Sequence, residues 1–68
     1  MKVTYDTIHT HRATALASLA KSMGASVKRV PVKHEISYCS LIVAFEGSFP
    51  DAAPKMRRFQ ACVKAAAI

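Results

Sequence analysis

Three histidines, two cysteines and four carboxylates are the side chains of this 68-residue chain that could bind a metal or move a proton. His9 and His11 form a His-x-His pair, which within a strand would set two imidazoles on one face. Here the pair straddles a predicted strand-to-helix junction and no third ligand is fixed nearby, so a zinc-type ligand set is not expected. His34 stands between Lys33 and Glu35, a position from which an imidazole could act as general base. Cys39 and Cys62 fall on the predicted inward faces of a strand and a helix, where a thiol packs as a small apolar group. Asp6, Glu35, Glu46 and Asp51 are scattered and form no carboxylate pair, and the chain has neither a Gly-rich phosphate loop nor a Ser-His-Asp set. These residues predict no catalytic centre, no metal and no cofactor.

Cationic side chains are in surplus. Ten Lys and Arg against four Asp and Glu give a formal net charge of +6 and a pI of about 9.8, a balance that favours acidic partners. Lys55, Arg57 and Arg58 lie near the start of a predicted helix, where the macrodipole disfavours cations by about 0.3–1 kcal/mol each. Placed there despite that cost, they join Lys64 as candidate partner-binding residues, and the guanidinium of Arg57 or Arg58 can hold phosphate or carboxylate through two bonds. Arg29, Lys33 and Lys28, with Arg12 and Lys21, are the cations that would extend such a patch. The competing explanation is a solvated face that keeps the protein soluble. With no Trp and only five aromatic residues, none of them in an aromatic-basic motif, sequence-specific nucleic-acid readout is not expected.

The elements that must position these groups follow from the apolar pattern. Val3 and Tyr5 alternate with Lys2, Thr4 and Asp6 in a short first strand. Thr10 then caps a helix with a stripe of Ala13, Leu16, Leu19, Ala20 and Met23, ended by Gly24. From Val27 a β-branched stretch predicts a second strand, at a sheet edge because Pro31 cannot donate to a ladder. His34–Ser37 is the expected hairpin connection. Cys39, Leu41, Val43 and Phe45 alternate with the equally apolar set Tyr38, Ser40, Ile42 and Ala44, as a central strand would. Asp51 or Ser48 caps the last helix, with its prolines in the first turn and an inward arc of Met56, Phe59, Val63 and Ala66 flanked by Cys62 and Ala67.

The order β-α-β-β-α over residues 1–68 is a single small α+β domain, similar in topology to a ferredoxin-like fold lacking its last strand. Pairing the first strand in parallel with the third gives a three-stranded sheet with both helices on one face. The other face would carry Tyr38, Ile42 and Ala44, and the first strand's outer edge would be bare, inviting a partner or a second copy as a homodimer. Tyr38 and Ile42 are the apolar candidates at the centre of such an interface.

With 51% apolar and 21% charged residues the chain is expected to collapse and fold. Its longest uninterrupted apolar run, Leu41 to Phe45, excludes a membrane helix, and Met1-Lys2-Val3-Thr4 lacks the apolar core of a secretion signal, so a cytoplasmic location is expected. Two cysteines allow at most one bridge and reduced thiols are the default. A core this small supplies about 3–5 kcal/mol, so association would help it.

Leu19-Ala-Lys-Ser-Met-Gly24 followed by a basic strand resembles the small toxin-type ribonucleases of the HicA kind, which would imply RNA cleavage by His34. The family's Gly-Ser-His is replaced by Val32-Lys33-His34, and the first strand is an addition. In size, basicity and lack of a catalytic set the chain also resembles phage-encoded inhibitors of host machinery, including anti-CRISPR proteins. The leading expectation is a non-enzymatic protein that docks through a basic face onto a nucleic acid or an acidic protein or nucleoprotein assembly; the alternatives are a ribonuclease using His34 and a homodimeric module.

Overall fold

The computed structural model describes residues 1–67, in the order β1 (Lys2–His9), α1 (Thr10–Ser22), β2 (Ser26–Pro31), β3 (Tyr38–Ala44) and α2 (Phe49–Ala65). The α+β fold is the expected one, with the sheet ordered β1-β3-β2. One feature of the expected topology is corrected: β1 runs antiparallel to β3, as does β2. Because β2 and β3 join as a hairpin, and α1 returns the chain so that β2 runs with β1, β3 must oppose both neighbours.

β1 is longer than its alternation suggested because it contains a bulge. Tyr5 pairs with Leu41 and Ile8 with Cys39, so Asp6 and Thr7 together oppose Ser40. Thr7 takes a left-handed φ of 52°, costly for a β-branched residue, and the Ser40 hydroxyl ties the distortion by donating to Asp6 Oδ1 at 2.9 Å and accepting from Thr7 N–H at 3.4 Å. The extra residue resets the pleat, so Ile8 points into the core and His9 out of it.

α1 begins one residue earlier than predicted. His9, not Thr10, is the N-cap, its Nδ1 accepting the His11 N–H at 3.2 Å. The helix ends as expected at Gly24, whose φ of +86° permits the paired bonds from Gly24 N–H to the Lys21 carbonyl and from Ala25 N–H to the Ala20 carbonyl, both 3.0 Å. Ala13, Ala17 and Ala20 let α1 approach the sheet closely, with Leu16 fully buried among them. Leu19 and Met23 are only partly buried.

The β2–β3 connection spans residues 32–37 and turns at Val32–Glu35, closed by Glu35 N–H to the Val32 carbonyl at 3.1 Å. His34, at φ 66°, takes the left-handed third position of a type II turn, where Gly or Asn is usual. Ser48 is the N-cap of α2, its carbonyl accepting from the Asp51 and Ala52 N–H groups at 3.0 and 2.9 Å, while its hydroxyl makes no bond to the helix N–H groups and donates instead to Asp51 Oδ2 at 3.0 Å. Pro50 lies in the first turn as expected, but Pro54 lies inside the helix. Two further expectations fail on this helix: Cys62 is exposed rather than inward, because the buried stripe of Ala52, Met56, Phe59 and Val63 leaves it on a flank, and Ala66, in line with that stripe, is exposed because the helix ends at Ala65.

Both helices cover the face that carries Cys39, Leu41, Val43 and Phe45. α1 lies over β3 and β2. On the β1 side, Phe59 of α2 meets Tyr5 edge-on at 6.5 Å and Phe45 at 6.1 Å. Among the described residues no helix is long and apolar enough to cross a membrane.

Candidate functional site: the β1 edge and the basic flank of α2

Backbone geometry shows which main-chain groups the sheet leaves unused. Met1 and Phe45 exchange both of their main-chain bonds, at 2.8 Å each, and antiparallel pairing alternates from there. Val3 and Tyr5 therefore turn their N–H and C=O groups toward β3, while those of Lys2 and Thr4 point away from the sheet along the outer side of β1. The same alternation carried across β3 turns Ser26, Lys28 and Val30 toward β3 and Val27, Arg29 and Pro31 outward. Pro31 thus spends its missing N–H on the solvent side, as the sequence predicted for an edge strand.

α2 runs beside the outer side of β1 and forms a groove of about 300 Å³ with it. The apolar lining is Met1, Val3, Ala53, Met56 and Phe49, and the polar rim is Lys2, Arg57 and Gln60. Phe49, 72% exposed at the first position of the helix, is a large apolar side chain left in water beside an unpaired strand. At about 3.6 residues per turn Lys64 lies two turns beyond Arg57 on the same flank.

The cations do not form the single face that was expected. On α2, Arg57 and Lys64 border the β1 side, whereas Lys55 and Arg58 fall on the opposite flank of the buried stripe. On β2, Lys28 points to the face away from the helices, and Arg29, one residue on, points to the helix side, where it donates to Thr14 Oγ1 at 3.1 Å. Lys33 belongs to the turn. The candidate set separates into a β1-edge group of Lys2, Arg57 and Lys64 and isolated charges elsewhere. Lys2 was not among the predicted residues, because it is brought beside Arg57 only by the packing of α2 on β1.

The open sheet face carries Tyr38, Ile42 and Ala44, as expected, with Tyr38 exposed and the other two half-buried. Tyr38 pairs with His9, whose ring it meets edge-on at 5.7 Å, and His9 stacks on His11 at 4.9 Å. One nitrogen of this pair is committed to the helix cap, and among the described residues no cluster of three His, Cys, Asp or Glu could hold a metal. His34 is exposed in its turn rather than on a strand.

A second groove, of about 380 Å³, opens at the other edge between the β2–β3 turn and the start of α1, with Arg29, Glu35, Ile36 and Tyr38 around it and the buried Cys39 at its floor. It combines a cation with an anion and is bordered by Pro31. Elsewhere, burial pushes the Tyr5 phenol above its ordinary range, and the Arg12 guanidinium, 5.7 Å over the ring, draws it partly back. No polar or charged side chain among the described residues is buried.

Compared with known proteins, the chain matches no family model, no curated protein and no solved structure.

Proposed function

We propose that this chain is a small non-enzymatic binding protein that acts by occupancy, docking the outer side of β1 and the adjoining flank of α2 onto an acidic partner. The observation that supports this most directly is the coincidence of three features in one place. These are the unused main-chain groups of Lys2 and Thr4, the exposed Phe49 over an apolar groove, and cations with no acidic residue lining that groove. Unpaired strand edges are normally blunted, and one left open beside exposed apolar surface is what a partner-binding protein would keep. Cations at the rim set encounter rate and orientation, and the apolar centre supplies the affinity.

The test compares two double charge reversals, Arg57→Glu with Lys64→Glu, and Lys55→Glu with Arg58→Glu, in pull-downs from a native lysate washed with and without nuclease. The first pair is expected to lose the captured partner and the second to keep it, with melting temperatures of both near that of the parent. Retention by the first pair would refute the reading, and loss of all capture on nuclease treatment would reassign the partner to nucleic acid. Such docking would suit an inhibitor of a larger host assembly, as the likeness in size and basicity to phage-encoded inhibitors suggests.

A further inference from the structure

We infer that the partner contributes an extended segment, alternating acidic and apolar residues, that adds to the sheet beside β1 as its fourth strand. This rests on the docking reading above and names the chemistry of the partner.

Main-chain geometry sets the first requirement. Lys2 and Thr4 present alternating N–H and C=O groups outward over one stretch of extended backbone, and these are met in register by another extended backbone. A phosphate chain has no donors for the outward carbonyls, so the edge fits a peptide better than a nucleic acid. The bulge at Asp6–Thr7 interrupts the regular ladder and confines regular pairing to the Met1–Tyr5 stretch.

Side-chain alternation sets the second requirement. An incoming residue opposite Lys2 or Thr4 shares their side of the sheet and meets the Lys2 ammonium group, which selects a carboxylate. A residue opposite Val3 points to the helix side, into the slot between Val3, Ala53, Met56 and Phe49, which selects an aliphatic side chain. Arg57 stands at the rim of that slot.

Charge excludes the simplest other occupant. A second copy pairing β1 against β1 would bring two sets of Lys2, Arg57 and Lys64 together between chains that each carry +6. Like charges across an interface are strongly unfavourable, whereas an acidic strand neutralises them.

The probe is a capped nine-residue peptide of alternating Glu and Val, N-methylated along one edge so that it can pair on one side only. Controls are the same peptide N-methylated along both edges and a version with Lys for Glu. Saturable binding of the first peptide alone is expected, with amide shifts at Val3, Thr4, Phe49 and Ala53 and slowed exchange of the Lys2 and Thr4 amides. Lys2→Glu should weaken it by about tenfold.

Equal binding of the doubly methylated peptide, or binding without protection of the Lys2 and Thr4 amides, would overturn strand addition and leave electrostatic docking standing. Doubled mass without peptide, with those amides already protected, would give the edge to a second copy and overturn the inference. If no acidic peptide binds while the lysate partner still depends on Arg57 and Lys64, the inference fails alone. If the charge reversals also leave capture intact, both fail.

Discussion

The two edges of this sheet are built to opposite specifications. At the β2 edge the outward-facing set is Val27, Arg29 and Pro31: a proline removes one donor, and the Arg29 side chain is held by Thr14 at 3.1 Å. At the β1 edge the outward groups of Lys2 and Thr4 are intact, and α2 stands beside them with exposed Phe49 and two of its four cations. A protein guards an edge with Pro, charge or a bulge when pairing there is harmful. Here β2 carries the proline, whereas β1 carries Lys2 and the Asp6–Thr7 bulge, which leave the outward groups open only along the Met1–Tyr5 stretch.

Removing the anchor of α2 should erase the difference altogether. Phe59 is fully buried and holds α2 to β1 and β3 through Tyr5 and Phe45. Phe59→Ala is expected to cost about 3–5 kcal/mol, comparable to the whole stability of so small a core, and urea titration should find the chain largely unfolded.

Exchanging the guards is the gentler experiment. Thr4→Pro removes an outward N–H and no ladder bond, so it should abolish acidic-peptide binding while lowering stability by only about 1 kcal/mol in thermal melts. Pro31→Val restores an outward donor at β2 and should raise self-association in sedimentation measurements; sedimentation identical to the parent's would mean that Pro31 does not guard that edge.

The bulge that shortens the β1 edge carries backbone strain that glycine would relieve. Thr7→Gly suits φ 52° and should stabilise the fold by about 0.5–1 kcal/mol in urea titration, the relief of a left-handed β-branched residue exceeding the added chain entropy.

The smallest effect is electrostatic. Burial raises the Tyr5 phenol in the folded state, so the folded chain holds that proton more tightly than the unfolded chain does. The resulting contribution to stability is fully present below the unfolded value of 10.0 and is lost as pH rises through the raised folded value. Tyr5→Phe should flatten the alkaline fall in melting temperature over that window. An identical fall in both proteins would remove Tyr5 as its cause.

Much of this fold was legible in the chain because it depends on local pattern. Element order, the edge position of Pro31, the terminator Gly24 and the apolar stripe of α1 all follow from side-chain period and backbone preference. What local pattern cannot carry is the relation between segments distant in sequence. The bulge at Asp6–Thr7 depends on Ser40, a partner 34 residues from Asp6. The inward arc of α2 differs from expectation at Cys62 because its rotation depends on where Phe59 meets Tyr5 and Phe45, and at Ala66 because the helix ends before it. The candidate site has the same origin. Composition determined that cations are in excess. Only the packing of α2 along β1 decided that Lys2 joins Arg57 around an apolar groove and that Lys55 and Arg58 face elsewhere, because a helix divides its charges by rotation about its axis, and only tertiary contacts set that rotation.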